Sequence, residues 1–119
     1  PPGEVGGPTT PSAHVRAQLE ALRRADFDAA FAFNSQANRL RLGGVAEFEQ
    51  IVRGSDSFCA LADPQADLGV AEAAPPGPDA GCDVQVTARS AGQVVRFRFD
   101  VSRGAAEGAW ETDGVRIEC

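Results

Sequence analysis

Few side chains in this sequence of 119 residues have the types and spacing that catalysis or metal binding requires. The single histidine, His14, falls in the first turn of the first predicted helix, beside its apolar stripe, so we expect a surface position without a catalytic partner. A metal site needs clustered Cys, His or carboxylate ligands, and no CxxC, HExxH or calcium-loop spacing occurs. GxSxG, phosphate-binding glycine and dinucleotide-binding patterns are also missing. The sequence therefore predicts a non-enzymatic protein with no catalytic residue, no cofactor and no metal.

A small polar group, Asn34, Ser35 and Asn38, lies between the second and third predicted helices. These side chains could reach the mouth of a pocket. Asn and Ser also bond readily to nearby backbone groups, which makes a helix C-terminal cap and turn the competing interpretation. The sequence leaves both open.

Charged side chains share the polar face of neighbouring predicted strands. They are Arg96, Arg98, Asp100, Arg116 and Glu118. Opposite charges that face each other across a ladder stabilise a sheet by roughly 0.2 to 1 kcal/mol per pair. A solvated face of ion pairs is one interpretation, and a docking surface for an acidic partner is the other.

The three cysteines and the single tryptophan have structural interpretations as well as functional ones. Cys82 and Cys119 fall at opposite ends of the predicted sheet and should not pair, whereas Cys59 could approach Cys119. Buried thiols are the alternative to this disulfide. Trp110 fits an interface anchor, because Trp is common in binding hot spots, or a place in the core.

Composition indicates one globular domain. The chain has 43% apolar and 24% charged residues and a net charge of −6, and all 11 basic residues are Arg. An acidic chain lacks the basic surface that binds phosphate backbones, so nucleic acid is not an expected partner. No stretch approaches the roughly 18 consecutive apolar residues of a membrane span, so any membrane contact should be peripheral.

The N-terminal segment differs from the rest of the sequence. Residues 1–9 start with Pro1 and Pro2, combine proline with glycine, and have little to bury, so we expect a flexible arm followed by a single domain over 10–119. Because the chain starts at Pro1 and contains no Met, we expect that a targeting peptide has been removed.

Three helices are predicted in the first half of the domain. The first runs from Pro11 to Ala25 after a Thr10 cap, with an apolar stripe at helical spacing. Asp26 caps a second, short helix that reaches Phe33. The third covers 45–54, and the segment 36–44 between them is ambiguous, at most one helical turn.

From residue 55 onward the apolar period changes from 3.6 to 2, which indicates strands. Alternation predicts strands over 67–73, 82–89, 95–101 and 115–119, the last entered by Trp110. A four-stranded antiparallel sheet with one apolar face needs a cover, and the three helices supply it. The predicted fold class is therefore α+β, with three N-terminal helices packed on a curved four-stranded antiparallel sheet.

Helices followed by such a sheet resemble the NTF2-like, cystatin-like cone. The first third of the domain is also similar to a family of small uncharacterised domains found in bacteria and in plant and algal plastids. Gln36 stands where that family commonly has proline. The matching residues are Val15, Gln18, Leu19, Ala21, Leu22, Asp26, Ala30, Phe31, Phe33, Ser35, Asn38 and Phe48.

Two functional hypotheses follow. The first is an accessory subunit that binds protein subunits of a larger assembly, such as a photosynthetic membrane complex met from the soluble side. The plastid members imply a plastid or thylakoid location, and a soluble bacterial compartment is the alternative. The interface residues are Arg96, Arg98, Arg116 and Trp110, with Pro1 and Pro2 on the arm.

The second hypothesis is an NTF2-like protein that binds a small hydrophobic ligand or acts as an isomerase. Its pocket is lined by Phe31, Phe33, Phe97, Phe99 and Trp110, and Asn38 is a further pocket residue. An open pocket that reaches Asn38, Asp100 or Glu118 would favour this hypothesis over the first. A homodimer joined through the sheet is compatible with either.

Overall fold

The computed structural model describes residues 10–72, 82–90, 92–103 and 110–118. In this part of the chain, four α-helices and one 3-10 helix precede a sheet of four antiparallel strands, so the fold is α+β. The helices are α1 (Pro11–Arg23), α2 (Phe27–Ala32), α3 (Gln36–Leu42) and α4 (Val45–Gly54), followed by the 3-10 helix Phe58–Ala62. The strands are β1 (Asp67–Glu72), β2 (Cys82–Ser90), β3 (Gln93–Arg103) and β4 (Trp110–Glu118).

Polar side chains cap the first three helices. Thr10 Oγ1 accepts a hydrogen bond from the Ala13 amide at 3.1 Å, and Asp26 Oδ1 accepts one from Ala29 at 3.2 Å. Ser35 Oγ does the same for Asn38 at 3.2 Å. Each cap satisfies a backbone donor that has no partner within its own helix, typically worth about 1 kcal/mol. The caps therefore fix where the helices begin.

The helical half differs from the predicted three helices in two places. The ambiguous segment forms a full helix, α3, because Ser35 caps its start and Gly43 ends it with φ of +104°. The first helix stops at Arg23 instead of Ala25, because Ala25 adopts φ of +59° and turns the chain into the Asp26 cap. Two short helices thus surround the Asn34–Ser35 link.

The sheet is a meander in the order β1-β2-β3-β4. Its ladders confirm the predicted antiparallel layout, with Val86 opposite Phe97 and Phe97 opposite Ile117. The β3–β4 register shifts between Asp100 and Val101, so that Asp113 is an extra residue between two paired positions. This is a β-bulge, a feature that often lies beside binding sites.

The core lies between α1 and the inner faces of β2 and β3. Val15 and Leu19 of α1 are 0% and 3% exposed, and Val86, Phe97 and Phe99 are 0%, 0% and 1% exposed. These side chains belong to one continuous apolar cluster that also takes in α2, α4 and the 3-10 helix. None of the helices in the described ranges is both long and apolar enough to cross a membrane.

Candidate ligand pocket

A cavity of about 490 Å³ lies between the helices and the last two strands, and we call it the helix–sheet pocket. The volume falls within the roughly 300 to 1,000 Å³ that is usual for small-molecule sites. Apolar side chains from the helices and strands form its walls. They are Leu22, Leu42, Phe48, Ile51, Val52, Phe58, Leu61, Phe99 and Val115.

Polar side chains also line the helix–sheet pocket. Gln18, Asn34 and Asn38 are each no more than 5% exposed, so they belong to its interior. Charged side chains complete the lining, and they are half-buried or exposed. These are Arg41, Asp100, Asp113 and Arg116.

The interior amides belong to a buried hydrogen-bond network whose directions follow from one carbonyl group. The Ala30 carbonyl can only accept, so the Gln18 group at 3.0 Å from it must be the donor Nε2. The same Nε2 donates to Asn34 Oδ1 at 3.1 Å, and Gln18 Oε1 accepts from Thr112 Oγ1 at 2.7 Å. The Thr112 hydroxyl has then used its hydrogen. It must therefore accept from His14 Nε2, which lies 2.9 Å away.

His14 is in the interior, and the surface position expected from the sequence is wrong. The residue is 2% exposed, and its ring meets Phe33 edge to face with the centroids 5.3 Å apart. Burial lowers the pKa of His14 from 6.5 to about 4, because the charged ring would lose its hydration. His14 is thus neutral at neutral pH, with its proton on Nε2. The helical pattern of the sequence could not predict this burial, because the hydrogen-bond partner of His14, Thr112, lies on the last strand.

Asn34 is held at the helix–sheet pocket by its backbone as well as by Gln18. The link between α2 and α3 pairs with β4 through two hydrogen bonds, Ser35 N to Thr112 O at 2.8 Å and Thr112 N to Phe33 O at 2.9 Å. Since Oδ1 of Asn34 faces Gln18, Nδ2 is turned away from it. In the part of the chain that the structure describes, this buried Nδ2 has no hydrogen-bond acceptor. A buried donor without a partner costs roughly 1 to 3 kcal/mol.

Arg41 extends from α3 to β4 at the helix–sheet pocket. Its Nη2 donates to Asn38 Oδ1 at 2.5 Å and to the Asp113 carbonyl at 2.7 Å. The bulge supplies that carbonyl, because Asp113 is the residue outside the regular ladder. Next to it, a Cβ at Gly114 would lie 3.6 Å from Arg41 Nη2, an ordinary van der Waals contact.

The two carboxylates of the pocket already have partners. Asp100 Oδ2 accepts from Arg116 Nη2 at 2.9 Å, and Asp113 Oδ2 accepts from Ser102 Oγ at 2.6 Å. Arg41, by contrast, has no carboxylate within ion-pair distance among the described residues. Asp113 likewise has no basic partner within that distance, so one positive and one negative group at the pocket form no ion pair with the described residues.

The residues predicted for a pocket are only partly brought together. Asn38 and Phe99 line the helix–sheet pocket. Phe97 packs against Phe58 with the centroids 5.6 Å apart, Phe31 contacts Phe48 at the same distance, and Phe33 lies against His14. Asn34 and Asn38 line the pocket, whereas Ser35 caps the N-terminus of α3 and not the C-terminus of a helix, as the other interpretation had it.

Of the residues predicted for an interface, the three arginines lie together on one face of the sheet: Arg98 is opposite Arg116 in the β3–β4 ladder, and Arg96 is two residues along β3. Arg98 pairs with Glu118 at 2.9 Å and approaches Asp83 at 3.9 Å, and Arg116 pairs with Asp100.

Arg96 is exposed opposite Glu118 in the ladder, and Trp110 is 6% exposed with Arg103 4.8 Å from its ring centroid. Pro1 and Pro2 lie outside the described residues, as does Cys119. The predicted bond from Cys119 to Cys59, which is exposed, stays a prediction.

Within the described ranges, no cluster of three or more His, Cys, Asp or Glu side chains is placed to hold a metal ion. No protein family, curated protein or solved structure matches this chain. The arrangement of the helix–sheet pocket is therefore the basis for a functional proposal.

Proposed function

We propose that this domain binds a small, mainly apolar molecule in the helix–sheet pocket. The observation that carries the proposal is a cavity of about 490 Å³ with apolar walls and a few polar groups, including Asn34 and Arg41. Apolar walls supply affinity through burial, and a small number of placed polar groups orient the ligand. The open pocket also reaches Asn38 and Asp100, which was the sequence-based criterion in favour of ligand binding.

Binding, without a reaction, agrees best with the state of the polar groups. The only histidine does not line the pocket, and its Nε2 is used by Thr112. Both carboxylates at the pocket accept hydrogen bonds from other side chains. A general base must be free to take a proton from the substrate, and both carboxylates are already oriented by hydrogen bonds to other side chains.

We also propose that the fold is an NTF2-like cone. Helices that precede an antiparallel meander support it, as does a cavity between the helices and the sheet. The accessory-subunit role, its plastid location and the homodimer stay predictions. The arm on which the first of them depends lies outside the described residues, and two of the three interface arginines form ion pairs within the domain.

A neutral fluorescent probe tests the proposed function. N-phenyl-1-naphthylamine should bind saturably with one site per chain. Val115→Trp should abolish binding, because the indole fills the cavity from β4. Val94→Trp is the matched control, since Val94 lies on β3, is 53% exposed and does not line the pocket.

The result should be the same with Ile51→Trp, a second filling variant at a position that lines the pocket and is 44% exposed. Circular dichroism establishes that each variant is folded. Equal probe binding by the folded filling variants and the control would overturn the proposal.

A further inference from the structure

We infer that the ligand of the helix–sheet pocket is an apolar monocarboxylic acid whose carboxylate binds Arg41. This inference rests on the proposed function and names the chemical class of its ligand. It follows from which polar groups at the pocket have unused hydrogen-bonding capacity.

Four acceptor groups at the pocket each receive a hydrogen bond from a neighbouring side chain. Asn38 Oδ1 and the Asp113 carbonyl both receive hydrogen bonds from Arg41. The carboxylates of Asp100 and Asp113 receive theirs from Arg116 and Ser102. A ligand rich in donors would compete with these partners.

The donors at the pocket have unused capacity. Asn34 Nδ2 is buried and has no acceptor among the described residues. Arg41 uses only Nη2, so its Nε and Nη1 groups form no hydrogen bond with the residues that the structure describes. Groups with spare donors select a ligand with acceptor oxygens.

Arg41 is also held in position for a carboxylate. Two neutral acceptors fix Nη2 without neutralising the guanidinium charge. The planar guanidinium then presents further N–H groups in the fork that matches a carboxylate with two parallel hydrogen bonds. Because Asn38 and Asp113 hold the side chain beforehand, less conformational entropy is lost when the ligand binds.

The apolar walls define the rest of the ligand. Leu22, Phe48, Leu61 and Phe99 are all 8% exposed or less and line the same cavity. The net charge of −6 opposes an anion at long range, but salt screens this effect beyond about 8 Å at physiological ionic strength. Within the pocket the charges of Arg41 and Arg116 balance those of Asp100 and Asp113, so the spare N–H groups of Arg41 define where the carboxylate binds.

A matched set of ten-carbon ligands tests the inference: decanoate, decanol, methyl decanoate and decylamine, each measured by displacement of the neutral probe. Decanoate should bind about tenfold more tightly than decanol, since a charge-assisted bidentate pair is stronger than a neutral hydrogen bond. Arg41→Gln keeps a donor for Asn38 but lacks the charge. It should lower decanoate affinity about tenfold and leave decanol affinity within about threefold.

Arg24→Gln is the control, because Arg24 is exposed and lies outside the pocket. Equal binding of decanoate and decanol, tighter binding of decylamine, or an unchanged decanoate affinity in Arg41→Gln would overturn the inference. Each of these results would leave the proposed function standing. Failure of the probe and of all four ligands to bind would overturn both.

Discussion

His14 on the first helix and Thr112 on the last strand are joined by a 2.9 Å hydrogen bond in which the histidine Nε2 is the donor. The two residues are 98 positions apart in the sequence. Through Gln18 the same network reaches Asn34, so the fold and the helix–sheet pocket share one set of buried polar contacts.

Acidification should destabilise the protein through His14. Its pKa is about 4 in the folded state against 6.5 for a solvated histidine, so the unfolded chain takes up a proton first as pH falls. The stabilisation is complete above pH 6.5 and is lost between pH 6.5 and about 4, by about 3 kcal/mol at most. Urea denaturation at pH 7 and pH 4 measures this loss.

His14→Gln is the control for this pH dependence, because glutamine keeps a donor for Thr112 and does not titrate. The difference in unfolding free energy between pH 7 and pH 4 should be smaller in this variant. An identical difference in the wild type and the variant would show that His14 is not the titrating group.

Thr112→Val should show how much the hydrogen-bond network contributes to the unfolding free energy, apart from the contribution of packing. Valine has nearly the shape of threonine, but it leaves His14 Nε2 and Gln18 Oε1 without partners. Two unsatisfied buried groups should lower the unfolding free energy by about 2 to 4 kcal/mol. Thr87→Val, on the outer face of β2, should change it by less than about 0.5 kcal/mol. Similar losses from the two substitutions in urea denaturation would contradict the network.

Substitution by alanine should change the stability of the protein in opposite directions at two glycines. Gly43 ends α3 with φ of +104°, a conformation that alanine adopts only with strain, so Gly43→Ala should destabilise the protein by about 1 to 2 kcal/mol. Gly54 is helical, and a Cβ added there would meet no neighbouring atom within 4 Å. Gly54→Ala should therefore stabilise the protein by up to about 1 kcal/mol. Thermal unfolding of both variants, followed by circular dichroism, checks the two signs.

Asp83→Asn should stabilise the sheet at neutral pH. Asp83 lies opposite Asp100 in the ladder, and its pKa is raised by desolvation and by the neighbouring Asp100 carboxyl, against the effect of Arg98. A raised pKa in the folded state means that stability falls as pH rises and Asp83 ionises. The gain from Asp83→Asn should thus be present at pH 7 and vanish below pH 3.8. Asp56→Asn, an exposed control, should show no such pH-dependent gain in urea denaturation.

The sequence predicted the elements better than the site, for physical reasons. Thr10, Asp26 and the change from helical to strand periodicity are local signals, and the helices and strands follow them closely. The pocket depends on contacts between distant segments, such as Asn34 with Thr112, for which no local pattern exists. Phe31, Phe33, Phe97, Phe99 and Trp110 were predicted to line it. Phe97 instead lies in the core, at 0% exposure.

One signal for the site is present in the sequence of the last strand. Trp110 and Thr112 face inward at even positions, whereas Val115 faces inward at an odd position. Such a change of parity within one strand indicates a bulge between the two parts. The bulge that supplies the carbonyl for Arg41 can therefore be predicted from the sequence of β4 alone. The contact of that carbonyl with Arg41 on α3 cannot.

Asp113 has no partner residue on β3, since Thr112 and Gly114 pair with the adjacent residues Val101 and Asp100. Removing the single codon for Asp113 would bring the two halves of β4 into continuous register and keep every strand pair. The same deletion would take away the carbonyl that anchors Arg41. The bulge residue therefore adds a contact to Arg41 without taking part in the strand pairing.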